Sequence, residues 1–218
     1  MRILATTDFH GEIEAFRRTV LKATEFSADA IVVCGDVTHF GSVERGKELL
    51  SVLGGAPYEV LFVPGNCDPP ELTKVSVDGV KCIHGICERV AGVEFLGVGG
   101  SSPSPFDTPF ELSEVEIAEL LGKGSNNCQN GVDVLVSHSP PRYTKADLAF
   151  SGEHVGSLSV REFVEKTKPR VVLCGHIHEA VGMDRINESV VINPGPARHR
   201  RCAIIELNDQ VNAKLDKL

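Results

Sequence analysis

The chain has 218 residues, of which 42% are hydrophobic and 24% are charged, and its formal net charge is −8 at pH 7. This composition is ordinary for a globular protein, and the length suits one substantial core, so we expect a single domain over residues 1–218. The negative charge offers no global attraction for long nucleic acid or an anionic membrane, so an anionic substrate would need a local positive site.

The predicted strands are short apolar runs, rich in Val, Ile and Leu and bounded by turn residues. Several runs are apolar nearly throughout, which is typical of strands that are covered on both faces. In chain order they are 2–7, 30–35, 59–65, 93–100, 132–139, 170–176, 189–195 and 201–207.

Helical patterns separate the early strands. An apolar stripe over residues 13–21 predicts the first helix, and a second lies within 43–53. Ser113 and Glu116 form a capping box that opens a third, and Ser157 predicts the start of a fourth. The alternation predicts parallel pairing, whereas the strand-dense C-terminal third predicts a second, more antiparallel sheet.

Localisation signals are lacking in the printed sequence. No apolar stretch approaches the ~20 residues that span a bilayer, and the opening residues MRILATTDFHGE lack the apolar core of a signal peptide. We therefore expect a cytoplasmic protein without membrane partners. The seven scattered cysteines fit reduced thiols better than a disulfide framework, although Cys82 and Cys87 are near enough in sequence to pair.

Metal-capable residues follow five of the predicted strands. Ligands collect beyond the carboxyl ends of the strands in an α/β sheet, so these side chains are expected to converge there. Each motif alone is weak evidence, but the whole set is hard to obtain by accident. The residues are Asp8, His10, Asp36, Asn66, His138, His176 and His178.

Two of these motifs have ligand-type residues separated by one position. Residues i and i+2 point to the same side of an extended chain, so Asp8 and His10 are expected to chelate together, as are His176 and His178. Phe9 would then turn toward the core.

The blocks resemble the calcineurin-like metallophosphoesterases, whose pattern is D-x-H, G-D-x-x, G-N-H-D/E, a lone H and G-H-x-H. Here the blocks read DFH at 8–10, GDVT at 35–38, GNCD at 65–68, SHS at 137–139 and GHIH at 175–178. The resemblance therefore covers most of the chain, and the motif set is highly specific. A further segment, NPG at 193–195, is also often seen in the family.

The resemblance implies an α/β fold, a four-layer αββα sandwich of two mixed β-sheets flanked by helices. It also implies a dinuclear metal site at the carboxyl ends of the strands. Asp36 would bridge the two metals. The remaining ligands would divide into Asp8, His10 and His178 for one metal and Asn66, His138 and His176 for the other.

The implied activity is phosphoester hydrolysis by a hydroxide that bridges two divalent metals. Asp36, Asn66 and His138 would act through this metal-bound hydroxide and through substrate positioning. Imidazole, carboxylate and amide ligands suit Mn, Fe, Zn, Ni or Co better than calcium. We expect two divalent ions, with Mn²⁺ first and Ni²⁺, Zn²⁺, Fe²⁺ or Co²⁺ as alternatives, and a small phosphoester as substrate.

Cys67 stands where most members of the family have a histidine that stabilises the transition state or protonates the leaving group. A cysteine-dependent phosphatase needs an arginine six residues after its cysteine, and Thr73 occupies that position, so a nucleophilic thiol is disfavoured. A small prokaryotic branch of the family carries GNCD and resembles phosphodiesterases, so we expect phosphodiester hydrolysis. The alternatives are a phosphomonoesterase or nucleotide phosphatase on the same site, and a catalytically weak metal-binding scaffold.

Two residues outside the blocks are further candidates. His154, in a loop before the fourth predicted helix, is a candidate for the missing acid, and Arg142 is a candidate for contacting the substrate phosphate. An ordinary loop or capping role is the alternative for both. The sequence leaves a monomer and a homodimer equally open.

Overall fold

The computed structural model describes residues 1–55 and 57–218. The helices are α1 (Ile13–Phe26), α2 (Val43–Ser51), α3 (Glu114–Ser125) and α4 (Leu158–Thr167). The strands are β1 (Arg2–Thr6), β2 (Ala30–Val33), β3 (Glu59–Phe62), β4 (Val80–Cys82), β5 (Cys87–Val90), β6 (Val93–Val98), β7 (Val134–Ser137), β8 (Val171–Leu173), β9 (Gly182–Ile186), β10 (Ser189–Asn193), β11 (Arg201–Leu207) and β12 (Val211–Lys217).

Two mixed six-stranded sheets form the middle of the molecule. The first has strand order β12-β11-β1-β2-β3-β4, with β1 to β4 parallel and β11 and β12 antiparallel. The second has the order β5-β6-β7-β8-β10-β9, with parallel central strands and antiparallel edges at β5 and β9. Both sheets therefore direct the carboxyl ends of their parallel strands to one edge.

Alternate residues of each central strand enter different cores, as the two-residue period of a strand requires. In β1, Ile3 and Ala5 face the second sheet, whereas Leu4 packs with α1 and α2 on the outer face. In β7, Val134 and Val136 face the first sheet while Leu135 packs with α3 and α4. This arrangement confirms the predicted four-layer αββα sandwich and explains why the strands are apolar on both faces.

Helices α3 and α4 begin where capping residues predict them. The Ser113 hydroxyl accepts a hydrogen bond from the Glu116 amide, the Glu116 carboxylate accepts one from the Ser113 amide, and Ser157 caps α4. The predicted stripe of α1 is wrong at Leu21, which is exposed, because Ala23 takes the buried position on that face. Within the described residues, no helix is both long and apolar enough to cross a membrane.

The C-terminal third does not form its own sheet, so that expectation is wrong. Strands β9 and β10 complete the second sheet, while β11 and β12 return to the first. The reason lies in β11, where Cys202 and Ile204 face the helix-covered core and Ala203 and Ile205 face the second sheet. A strand that is apolar on both faces must lie inside a covered sheet, and pairing with β1 provides this cover.

A disulfide joins Cys87 of β5 to Cys128, which follows α3. The expectation of reduced thiols is therefore wrong for this pair, and the pairing of Cys82 with Cys87 is also wrong. Cys82 lies in β4 of the first sheet, whereas Cys87 lies in the second. Disulfides are more frequent in oxidising compartments, so a cytoplasmic location stays a prediction.

The disulfide joins two cysteines that are 41 positions apart in the sequence, so its reduction is expected to destabilise the fold. Reduction should lower the free energy of unfolding by about 2–4 kcal/mol, because the unfolded chain regains conformational freedom. Urea unfolding with and without a reductant measures this change. The matched control is Cys128→Ser, in which the reductant should have no further effect; equal stability of oxidised and reduced wild-type protein would contradict the prediction.

Candidate metal centre

Seven polar side chains meet at the edge of the sandwich where the parallel strands end. They are delivered by the loops that follow β1, β2, β3, β7 and β8. These are the seven predicted ligands: Asp8, His10, Asp36, Asn66, His138, His176 and His178. The structure therefore brings together every residue that the sequence motifs selected, while their role as ligands stays a prediction.

The first group consists of Asp8, His10, Asp36 and His178, each offering one atom that lies within 4.8 Å of the others. The Nε2 atoms of His10 and His178 are 3.1 Å apart. His178 Nε2 is 3.3 Å from Asp8 Oδ1, and His10 Nε2 is 3.5 Å from Asp36 Oδ2. Two carboxylates and two imidazoles at these distances surround a space suited to one divalent cation.

The second group forms around the side-chain oxygen of Asn66. This Oδ1 atom lies 2.9 Å from His138 Nε2 and 2.9 Å from His176 Nδ1. Asp36 Oδ1 is 3.5 Å from the same His138 Nε2. Asp36 thus presents its Oδ2 atom to the first group and its Oδ1 atom to the second.

The hydrogen bonding of His138 shows that this donor set fits a cation. The backbone oxygen of Cys34 lies 2.7 Å from His138 Nδ1 and can only accept, so Nδ1 carries a proton. In a neutral imidazole, Nε2 then presents a lone pair to the oxygens of Asn66 and Asp36. The buried Asp8 Oδ1 also accepts no well-directed hydrogen bond from any described residue. A metal ion would satisfy these converging lone pairs.

Burial controls the protonation of the imidazoles. It lowers the pKa of His10 to about 3 and that of His176 to about 3, so both are neutral at physiological pH and can donate lone pairs. Burial opposes the charged form of His178 too, but the nearby Asp8 carboxylate, 3.3 Å from its Nε2, outweighs burial and raises the pKa of His178.

The two carboxylates of the centre differ in their protonation. Burial would raise the pKa of Asp8, but its interaction with His178 and the neighbouring histidine charges lower it to about 2. Burial raises the pKa of Asp36 to about 7. A cation beside Asp36 would favour its ionised form, so metal binding should release a proton near neutral pH.

Four of these residues have left-handed backbone conformations, with φ of 54° at Asp8, 48° at His10, 51° at Asp36 and 68° at His176. The extended-chain geometry expected for the two i, i+2 pairs is therefore wrong. Each such residue costs on the order of 1–3 kcal/mol, and the surrounding structure must maintain it. Hydrogen bonds from Asp8 N to Gly35 O at 3.0 Å and from His10 N to Asp36 O at 2.8 Å hold the turns. Phe9 is buried, as expected.

The glycine that precedes each of three predicted ligands is required by close packing. A Cβ at Gly35 would overlap the imidazole of His138, and one at Gly65 would overlap Asp36. A Cβ at Gly175 would overlap the Thr7 side chain. The glycines of the G-D, G-N and G-H motifs thus allow the backbone of one loop to pack directly against a side chain of a neighbouring loop.

Asp68 clamps two of the loops together. Its Oδ2 accepts hydrogen bonds from Gly65 N at 2.8 Å and Val37 N at 3.0 Å. Its Oδ1 accepts from Thr38 N at 2.7 Å and Thr38 Oγ1 at 2.8 Å. This buried carboxylate therefore fixes the loop of Asn66 against the loop of Asp36.

Cys67 lies at the edge of the centre and is 7% exposed. Burial, followed by the negative charge of Asp36, raises the pKa of its thiol well above the usual range. Its backbone amide donates to Asp36 Oδ1 at 2.9 Å. A thiol that stays protonated is a poor nucleophile, which agrees with the absence of a partner arginine in the sequence motif.

Two residues that the motifs did not select also touch the centre. His39 Nδ1 is 3.3 Å from His10 Nδ1, and an Arg198 Nη2 atom is 3.4 Å from His178 Nδ1. The only signal for His39 in the sequence is its place three positions after Asp36. Arg198 follows the NPG segment and adds positive charge beside the first group.

A cavity of about 980 Å³ opens beside His176 and His178. The loops 102–106 and 142–156 form its other walls, and both His154 and Arg142 line it. His154 Nδ1 is 2.7 Å from Asp147 Oδ1. The Nε atom of Arg142 is buried and has no hydrogen-bond partner among the described residues. Both sequence candidates are thus placed beside the predicted ligands.

Comparisons with known proteins agree with this geometry. A model described as calcineurin-like phosphoesterase matches residues 1–180. An uncharacterized protein of Methanocaldococcus jannaschii is 39% identical over 202 residues, which cover 90% of this chain and 88% of that protein.

Two solved structures share the fold. A dimetal phosphatase from Danio rerio superposes with a TM-score of 0.68 and 12% identity, covering 100% of this chain and 96% of that one. A novel archaeal phosphodiesterase superposes with a TM-score of 0.58 and 15% identity, covering 100% of both chains. At these identities the superpositions show a common architecture only.

Replacing the clamp should weaken metal binding without removing a ligand. In Asp68→Asn an amide NH₂ group, which cannot accept a hydrogen bond, replaces one carboxylate oxygen and faces backbone N–H donors. The hydrogen bonds that hold the Asn66 loop against the Asp36 loop are then lost. We expect metal affinity to fall about 10–100-fold. Calorimetric titration with Mn²⁺ measures it. Asp78→Asn removes the same charge from an exposed turn and should bind as wild type; unchanged affinity in Asp68→Asn would refute the clamp.

Proposed function

The chain belongs to the calcineurin-like phosphoesterase family, and on that premise we propose that it is a metal-dependent phosphodiesterase for small substrates. The observation that carries the proposal is the position of Asp36. Its two carboxylate oxygens face different groups, with Oδ2 3.5 Å from His10 Nε2 and Oδ1 3.5 Å from His138 Nε2. One carboxylate that faces both groups suits a pair of cations held close together.

The side chains divide into two ligand sets. Asp8, His10 and His178 would hold one ion, Asn66, His138 and His176 the other, and Asp36 both. The mixture of imidazole, carboxylate and amide ligands suits Mn²⁺, Fe²⁺, Zn²⁺, Ni²⁺ or Co²⁺, and we propose Mn²⁺ first. When bound, two such ions supply Lewis-acid charge for the phosphate oxygens and lower the pKa of water.

The protein's own residues orient this centre and its substrate. The Cys34 carbonyl fixes the tautomer of His138, and the Cys67 amide holds Asp36 Oδ1. Arg142, whose buried Nε lacks a partner among the described residues, is proposed to bind a substrate phosphate oxygen. The guanidinium of Arg142 lies over the Tyr143 ring at 5.4 Å, which orients it along the cavity wall.

The preference for a diester is based on Cys67. A thiol whose pKa lies well above the usual range supplies neither the positive charge nor the ready proton of a histidine. A diester monoanion with an aryl or nucleoside leaving group needs this charge less than a monoester dianion does. One fold neighbour is named a phosphodiesterase, but the preference itself depends on Cys67.

A phosphomonoesterase or nucleotide phosphatase on the same site is the second candidate, since a fold neighbour is named a dimetal phosphatase. A weak metal-binding scaffold is disfavoured because none of the seven predicted ligands has been lost. The oligomeric state does not enter this proposal, since every residue named in it belongs to one chain.

Removing the bridging carboxylate should abolish both metal pairing and turnover. In Asp36→Asn the neutral amide cannot balance two cations, so we expect no more than one ion per chain. Mn²⁺-dependent diester hydrolysis should fall by at least about 1,000-fold, because several kcal/mol of charge stabilisation are lost. Elemental analysis and hydrolysis of bis(p-nitrophenyl) phosphate measure the two effects, with Asp78→Asn as the charge-matched control. Full activity with one ion per chain would sink the two-metal mechanism.

Restoring a histidine should change substrate preference. Wild type is expected to hydrolyse bis(p-nitrophenyl) phosphate faster than p-nitrophenyl phosphate. Cys67→His should raise the monoester rate relative to the diester rate by about tenfold or more, because an imidazole adds charge and a proton donor. Cys67→Ser is the control of matched size. The same substrate ratio in the histidine and serine variants would refute the role assigned to this position.

A further inference from the structure

The proposed reaction needs a proton for the departing oxygen, and Cys67 stands where most members of the family have a histidine that can supply one. Both oxygens of the neighbouring Asp68 accept hydrogen bonds from backbone amides and are not free to act. We propose that His154 donates this proton, with Asp147 as its positioning residue. The proposal rests on the phosphodiesterase function proposed above.

Asp147 fixes the orientation of the His154 ring. The carboxylate is completely buried, and its Oδ1 lies 2.7 Å from His154 Nδ1. Oδ1 also accepts a hydrogen bond from Thr144 N at 2.8 Å, and Oδ2 accepts from Gly156 N at 3.0 Å and Tyr143 N at 3.1 Å. This carboxylate is an acceptor for three backbone amides, so His154 Nδ1 must carry a proton toward it.

The second ring nitrogen of His154 is free to act. Nε2 lies on the opposite side of the imidazole from Asp147 and has no hydrogen-bond partner among the described residues. The side chain is 35% exposed and lines the 980 Å³ cavity that His176 and His178 also line. A donor with a fixed ring and an open nitrogen therefore shares one space with two predicted metal ligands.

The same cavity has room for an apolar leaving group. Phe106, 81% exposed, lies in its wall, and the Tyr143 ring meets the His154 ring edge-on at 5.4 Å between centroids. An aryl or nucleoside group between these aromatic surfaces would bury apolar area that water now covers. The leaving oxygen would then lie on the side of the cavity where His154 stands.

The proton-transfer step balances as follows. The bond between phosphorus and the leaving oxygen breaks, its electron pair stays on that oxygen, and the Nε2 proton of His154 moves to the same oxygen. His154 becomes neutral and keeps its Nδ1 proton against Asp147. The attacking water releases a proton during hydrolysis, and this proton restores the imidazolium before the next turnover.

Two diesters with the same methyl spectator group separate a proton donor from a binding residue. Methyl p-nitrophenyl phosphate releases a stable anion that needs no proton, whereas methyl phenyl phosphate releases a more basic phenolate. His154→Ala should lower kcat by about 100-fold on the phenyl ester. On the nitrophenyl ester it should lower kcat by no more than about tenfold. Asp147→Asn should shift the same ratio in the same direction, whereas a purely structural role would lower both rates equally.

Controls assign each outcome. Glu153→Gln removes the adjacent ionisable side chain of the loop and should keep the wild-type ratio of the two rates. His154→Ala should also keep the wild-type metal content, because His154 is not a predicted ligand. Equal losses on both esters, no loss on either, or loss of metal from His154→Ala overturns the proton-donor role. Failure of the wild type to hydrolyse either ester with Mn²⁺ overturns the phosphodiesterase proposal itself.

Discussion

The buried carboxylate of Asp36 is the interaction on which the rest of the centre depends. It lies between the two sheets with one oxygen toward each group of histidines, and only 2% of the residue is exposed. An ionised carboxylate taken out of water costs several kcal/mol unless opposite charge compensates it. Its hydrogen bond from the Cys67 amide is one compensation, and two divalent cations would be the larger one. The buried negative charge of Asp36 is therefore unfavourable in the protein alone, and bound cations would compensate it.

Meeting that demand requires loops that are held more tightly than ordinary strand connections. Positive φ angles at four predicted ligands turn the chain sharply after the strand ends, and three glycines allow neighbouring loops to touch. Backbone hydrogen bonds between the loops that follow β1 and β2 offset the cost of this strain, and so do the hydrogen bonds of Asp68. Because these contacts join different strands, the position of each ligand depends on the whole sheet edge.

The parts of the fold that follow short-range patterns could be predicted from the sequence. Apolar runs located the central strands, a capping box located α3, and spacing selected the seven residues that meet in the centre. The long-range contacts could not be predicted. Asp68 accepts hydrogen bonds from Val37 and Thr38 of another loop, and Cys87 pairs with Cys128 across 41 positions. The partners of Asp147 lie within its own loop, but no sequence motif marks this carboxylate. The pairing of β11 with β1 could not be predicted either, because it depends on which sheet is covered on both faces.

In the proposed mechanism, metal binding and protonation of the leaving group belong to two different loops. The loop after β3 brings Asn66 and the clamp but no proton donor, while the loop before α4 brings the His154 and Asp147 pair to the cavity wall. Metal-associated charge would then lie at the sheet edge and the leaving-group chemistry in the cavity. Under the proposed function, this separation would explain why seven predicted ligands lie beside a cysteine in the place of the family's histidine.

The most direct test of the two-cation centre is the anomalous scattering of Mn²⁺ in crystals of the protein. The account predicts two peaks, one among Asp8, His10 and His178 and the other among Asn66, His138 and His176. Both ions should contact Asp36, through different carboxylate oxygens. A single peak at saturating Mn²⁺, or two peaks of which only one touches Asp36, would contradict it.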